Sequence, residues 1–184
     1  MFQEFSKNVL REISKVLNAI DEEEVNKLIQ AILNAKKIVT CGAGRMGMMA
    51  RAFAMRLSHL GKEAYNISDC NTPSIGKGDL LLVSSGSGET KTILVLVEIA
   101  KQQGSGIALV TARSHSTIAN LADVKVILPA LSKIEDEKSA KSIQPMTSLT
   151  EQSCLMFFDT LTLILMQKLG QTQEILKARH SILE

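Results

Sequence analysis

An α/β fold, with helices on both faces of a mostly parallel sheet, is predicted by three features of this sequence. Five short apolar runs recur along it, at residues 38–41, 64–67, 80–83, 107–110 and 124–128. Longer helical stretches separate most of them, so consecutive strands are joined by right-handed crossovers into a three-layer α/β/α sandwich. The 184 residues, 45% hydrophobic and 22% charged, suffice for one globular domain with a single core and no disulfide or metal staple.

Residues 1–35 form an N-terminal helical segment. Phe2, Phe5, Val9, Leu10, Ile13, Val16, Leu17 and Ile20 recur at helical spacing, giving an amphipathic helix whose stripe must be buried against the fold or a partner subunit. Asp21, with Glu24 three residues on, has the pattern of a capping box for a second helix with an apolar face of Val25, Leu28, Ile29, Ile32 and Leu33. Asn34 and Ala35 end it. From residue 36 the α/β core begins, with helices expected over 46–59 and 90–103 and a shorter one near 116–121. Residues 130–144 are rich in charge, including Lys133, Glu135, Asp136, Glu137, Lys138 and Lys141, and read as an exposed loop. Residues 149–169 form a long apolar helix with polar ends, which suits a core or interface helix better than a membrane span. The tail, 172–184, carries Arg179 and His180. Residues 1–184 thus read as one domain.

Composition removes several functions. With 21 Lys+Arg against 19 Asp+Glu, a net charge of +2 and 3% aromatics, the chain lacks the basic surface and stacking platforms of a nucleic-acid binder. Cys41, Cys70 and Cys154 are odd in number and form no CxxC, which excludes a disulfide framework or structural zinc and fits the reducing cytoplasm. The N-terminus has no signal-peptide core, so no membrane partner is expected. Met46, Met48, Met49 and Met55 fall at helical spacing without paired His or Cys, a packing pattern rather than a soft-metal surface.

Two loops carry chemistry. Gly42-Ala43-Gly44-Arg45-Met46-Gly47 follows a strand and opens a helix, where glycines allow a tight turn and let an anion approach N–H groups at the helix's positive end. The same pattern is a dinucleotide fingerprint, with Asp69 as the ribose acid, or simply a turn. Ser84-Ser85-Gly86-Ser87-Gly88-Glu89-Thr90 is more specific. The hydroxyls of Ser85, Ser87 and Thr90, with a helix N-terminus, make a neutral cradle for a phosphate monoester, and no Gly-Lys-Ser/Thr ending marks it as a triphosphate loop. A helix cap, which Glu89 near the first turn would suit, would need only one hydroxyl.

Both loops resemble those of sugar isomerase domains. More narrowly, Met55-Arg56-Leu57, His59-Leu60-Gly61, Thr72-Pro73-Ser74-Ile75, Gly78-Asp79-Leu80-Leu81, Pro145-Met146, Ser148-Leu149 with Glu151, and Arg179-His180 resemble the 6-phospho-3-hexuloisomerase family along nearly the whole chain. The resemblance implies a five-stranded parallel sheet, a homotetramer and interconversion of 3-hexulose 6-phosphate with fructose 6-phosphate in the ribulose monophosphate pathway, without metal or organic cofactor. It assigns phosphate binding to Gly44, Arg45, Ser85, Gly86, Ser87 and Thr90. Met46 departs from the family's Ser, and Thr147 and Thr150 from a Gly and an aromatic; Ser181-Ile182 likewise replaces Ala-Asn.

Moving a carbonyl from C3 to C2 requires proton removal at C2, a 2,3-enediol and protonation at C3. Glu151, at the start of the long apolar helix, is the candidate base, since partial desolvation makes a carboxylate more basic; stabilising the helix end is its alternative role. His180 is a candidate proton shuttle between the enediol oxygens, or a solvated tail residue. His59 lies some ~20 Å along its helix from the first loop by the helical rise, where it can reach a neighbour's site or serve its own helix end. The competing functions are a dinucleotide-dependent oxidoreductase, a non-catalytic phosphosugar-binding protein and another phosphosugar isomerase.

Overall fold

Successive residues of a strand point to opposite faces of its sheet, and that alternation divides the core of this protein in two. The structure, a computed structural model, describes residues 1–130 and 142–182. The elements run α1 (Phe2–Asn18), α2 (Glu22–Asn34), β1 (Lys37–Gly42), α3 (Gly44–His59), β2 (Glu63–Asn66), β3 (Leu80–Ser84), α4 (Lys91–Gln102), β4 (Gly106–Thr111), α5 (Thr117–Leu121), β5 (Val124–Ile127), α6 (Ser148–Lys168) and α7 (Gln173–Ala178). The five strands are all parallel, in the order β2-β1-β3-β4-β5. Ile38, Leu80, Leu82, Ala108, Val110 and Val126 face a core shared with α1, α2, α3 and α6. Val39, Cys41, Leu81, Val83, Ile107 and Leu109 face a smaller core under α4 and α5. The predicted three-layer sandwich and all five strands are present; β2 starts and ends one residue early, and β5 stops one residue short.

Three local expectations are corrected. α3 starts at Gly44 rather than at Met46, so the glycine loop itself supplies the helix's first turn. Asp21 does cap α2, accepting from the N–H groups of Glu23 and Glu24 at 2.7 and 3.3 Å, but the reciprocal half of the capping box is missing. Glu24 instead accepts from the N–H of Ile127 at 2.8 Å. β5 is an edge strand, so its outward N–H lacks a strand partner, and the carboxylate satisfies it. The exposed loop expected over 130–144 falls mainly on 131–141, outside the described residues; at its ends, Ala130 and Gln144 are buried.

The 21-residue α6 has the length and hydropathy of a membrane span, yet 56% of its apolar window is buried inside the fold, as a core helix requires. Phe158 on α6 stacks on Phe53 of α3, ring centroids 4.4 Å apart, and both rings are almost wholly buried. Each such ring contributes about 1.5–3 kcal/mol by leaving water, so this pair locks α6 against α3.

Two outcomes follow. Asp21→Ala should lower stability by about 0.5–2 kcal/mol through the lost cap, read by denaturant unfolding; no change would show that α2 is held by packing alone. Cys41 and Cys154 are buried, and burial pushes both thiols up, Cys41 to about 12, whereas Cys70 is exposed. Iodoacetamide should therefore label native protein at Cys70 only, with the other two labelled after unfolding, as mass spectrometry of the peptides would report.

Candidate active site

β1 and β3 are neighbours, with Gly42 opposite Ser84 at their carboxyl ends. A Cβ on Gly42 would lie 2.7 Å from the Ser84 carbonyl oxygen, and one on Gly47 would lie 2.4 Å from the Gly42 carbonyl oxygen, so only glycines let strand, turn and helix approach this closely. The Ser84 hydroxyl donates to the Met46 carbonyl at 2.7 Å and ties the two loops together. Met46 itself is buried against the larger core and also lines the cleft, without a hydroxyl to offer there.

Gly44 has φ +56° and open space where a Cβ would be. It opens α3, whose Ala43 cap has no side-chain bond, leaving first-turn N–H groups directed at the cleft. In the second loop, Ser85 Oγ accepts from the Gly88 N–H at 3.2 Å and Ser87 Oγ from the Glu89 N–H at 3.2 Å. As acceptors, both hydroxyls are oriented with their own protons left to donate. Thr90 precedes α4 but makes no cap bond with its side chain, so its hydroxyl is not consumed in the capping role. Nor does Glu89 serve α4: its carboxylate accepts from the hydroxyl and the N–H of Thr117, at 2.7 and 2.8 Å, and these bonds hold its carboxyl below the ordinary value.

Glu151, 9% exposed, reaches the same cleft from the first turn of α6. Thr147 Oγ1 donates to its Oε1 at 2.8 Å, and Arg45 Nη1 lies 2.7 Å from Oε2 and donates to Ser148 Oγ at 2.9 Å. The cleft, of about 570 Å³ open to solvent, is lined by Gly44, Arg45, Ser85, Gly86, Ser87, Thr90, Thr147, Thr150 and Glu151 among others. Three helices, α3, α4 and α6, begin at it, and their positive ends add to Arg45. Among the described residues, Glu151 is the one carboxylate in its lining. The arrangement attracts an anion and sets one carboxylate beside it. Among the described residues, no group of three or more His, Cys, Asp or Glu gathers to hold a metal.

Glu151 and both loops are thus brought together within one chain, while His59 and His180 are gathered elsewhere. His59 ends α3, buried, with its ring 5.2 Å from that of His180 and its Nδ1 3.5 Å from Arg56 Nη1. They line a separate cleft with Arg56, Gln173, Glu174, Leu176 and Lys177. Arg179 donates to the His59 carbonyl at 3.0 Å, and Gly61, φ +85°, leaves room for its guanidinium. Asp69, weighed as a ribose ligand, is engaged within its own turn, accepting from the Asn66 N–H at 3.0 Å beside Arg51. Sequence reasoning missed Thr147 and Thr150 as cleft residues; the spacing of four between Thr147 and Glu151, one helical turn, was the available signal for the first.

Residues 31–156 match the SIS domain family. Over 181 residues, 98% of each chain, the sequence is 39% identical to the 3-hexulose-6-phosphate isomerase of Bacillus subtilis (strain 168). It is 38% identical over 173 residues to that of Mycobacterium gastri, covering 94% of this chain and 86% of that protein. The fold matches that of a Methanococcus jannaschii protein whose crystal structure infers a molecular function of 3-hexulose-6-phosphate isomerase, with TM-score 0.85, 31% identity and coverage of 98% of this chain and 99% of that one. With glycine and serine loops of the geometry described and matches along its whole length, this chain belongs to the SIS domain family, among the 3-hexulose-6-phosphate isomerases.

Proposed function

We propose that this protein isomerises 3-hexulose 6-phosphate to fructose 6-phosphate through a 2,3-enediol. The observation that carries the reading is Glu151, the single carboxylate among the described residues of a cleft lined by Arg45, hydroxyls, glycines and helix N-termini. The phosphate binds the Ser85, Ser87 and Thr90 hydroxyls and the N–H groups of Gly44, Arg45 and Gly86. Glu151 takes the proton from C2, the C2–C3 enediol forms as O3 is protonated, and the same carboxyl returns a proton to C3 while O2 loses its own. No electrons leave the sugar, so the step needs no redox partner.

Arg45 is central to the timing. Without substrate it is paired with Glu151 at 2.7 Å, and the guanidinium occupies one of the two carboxylate oxygens. A bound phosphosugar supplies oxygens that compete for the guanidinium, which moves from the carboxylate to the substrate and leaves Glu151 free to accept a proton. His59 and His180 serve the site of a neighbouring subunit in a homotetramer, shuttling a proton between O2 and O3. Exposed apolar side chains on helix faces, including Met48, Val95, Ile99, Met156 and Leu163, support that association. The free cysteines support a cytoplasmic setting.

Ser87→Ala and Thr90→Val should each weaken phosphosugar binding roughly ten- to hundredfold, the loss of one hydrogen bond to a charged group at about 1.5–3 kcal/mol, with folding intact. Unchanged titration isotherms for both would remove the phosphate assignment. Glu151→Gln should lower turnover about 10²–10⁴-fold without weakening binding, because it removes the base and releases Arg45 to the ligand. In heavy water the wild type should wash deuterium into C3 of fructose 6-phosphate, seen by NMR, and the variant should not. Normal turnover by Glu151→Gln would show that Glu151 only stabilises its helix end.

A further inference from the structure

We propose that Glu12, in the middle of α1, is a positioning residue that sets the geometry of Glu151 by clamping the backbone that leads to it; this rests on Glu151 as the base. Its carboxylate accepts three hydrogen bonds from three consecutive residues: the Ser142 hydroxyl at 2.7 Å, the Ile143 N–H at 3.0 Å and the Gln144 Nε2 at 2.9 Å. Both oxygens are used, and Ser142 Oγ in turn accepts from the Gln144 N–H at 3.0 Å. Gln144 is buried, and among the described residues its side-chain Oε1 has no partner while its amide nitrogen serves Glu12.

Two residues after the clamp the backbone is strained. Met146 has φ +55°, the one non-glycine residue with positive φ among the described residues, and its side chain is 83% exposed, so packing of that side chain does not hold the conformation. Strain of this kind persists where surrounding contacts over-determine it. Those contacts are the Glu12 clamp on one side and, on the other, the bond from the Ser148 N–H to the Pro145 carbonyl at 3.1 Å. Directly beyond Met146 stand Thr147, which donates to Glu151, and Ser148, which accepts from Arg45. A shift of the 142–147 backbone therefore moves the two groups that hold the base and its counter-ion. Burial works to raise the Glu12 carboxyl, but the bonds from Gln144, Ser142 and Ile143 and the charge of Arg11 outweigh it, so it lies below its ordinary value and stays an ionised acceptor at neutral pH. The apolar stripe of α1 accounts for the helix's packing on α6 but not for a carboxylate aimed at this segment.

The test uses the full-length protein with fructose 6-phosphate, following turnover and deuterium wash-in at C3. Glu12→Ala should lower kcat about ten- to hundredfold, the usual scale for a misplaced catalytic group, with KM and the affinity for inorganic phosphate within about twofold of wild type. In the Glu151→Gln background it should cost nothing further, because it acts through that carboxyl. Met146→Gly, which removes the cost of positive φ, should leave wild-type turnover unchanged and restore part of the kcat lost in Glu12→Ala. Should Glu12→Ala fail to fold, Ser142→Ala removes one of the three bonds and carries the same test with a smaller loss. An unchanged kcat, a loss seen in KM or phosphate affinity instead, or an equal loss in the Glu151→Gln background overturns the clamp. Glu151→Gln alone reports on the base, so a fully active Glu151→Gln removes the reading beneath the proposal, whereas an impaired one beside an active Glu12→Ala removes only the clamp.

Discussion

The site exists because β1 and β3 are adjacent in the sheet yet send their chains to opposite faces. After β1 the chain enters α3 in the larger layer and returns at the edge strand β2; after β3 it enters α4 on the other face and returns at β4. Two loops that start side by side must then diverge, and a crevice opens between them at the carboxyl ends of the strands. The glycines at 42 and 47 follow from this constraint, since the first loop has to turn within contact distance of Ser84 and of its own helix. So does the polarity of the crevice. Parallel crossovers place the N-termini of α3 and α4 at that end of the sheet, and the cleft inherits their unpaired N–H groups before any side chain is considered.

A crevice that only attracts anions would bind and not react. The carboxylate we propose as the base arrives from α6, more than a hundred residues after the glycine loop, and three features fix it there. The Phe53–Phe158 stack sets α6 against α3 in the core. Thr147 and Arg45 then fix the two oxygens of Glu151 separately. A carboxylate at the first turn of a helix is also favoured by the helix's own dipole, so a position that stabilises α6 coincides with one that faces the cleft. The two roles weighed for Glu151 from sequence are therefore compatible, and only removing its proton-accepting capacity while keeping its shape separates them.

What was legible in the sequence was what local chemistry determines. Buried parallel strands are short apolar runs whatever surrounds them, and the glycine and serine loops announced themselves because close backbone approach and clustered hydroxyls have few other causes. The missed features are polar side chains whose partners the local sequence rules did not predict. Glu24 had the spacing of a capping box but serves Ile127 of the edge strand; Glu89 lies just before α4, where an acid would suit a cap, but bonds to Thr117. Asp69 had the position of a ribose ligand but closes a turn. In each case the local rule was satisfied equally by two geometries, and a backbone N–H left unpaired by the tertiary fold decided between them. Glu12 is the extreme case, since nothing near it in sequence distinguishes it from any solvated helix acid.

α3 also explains why the two halves of the predicted catalytic set lie apart. It is one unbroken helix from Gly44 to His59, so its first turn lines the anion cleft while its last residue lies about 20 Å away by the helical rise. The far end is as firmly fixed as the near one: Arg179 binds the His59 carbonyl, and the cation suits the negative end of the helix. Neither histidine can approach Glu151 without breaking a core helix or releasing the tail. A reaction that uses the carboxylate of the first cleft together with the imidazoles of the second must therefore draw them from two chains. In that proposed arrangement the unbroken α3 would present His59 to a neighbour, and association would become a condition of catalysis.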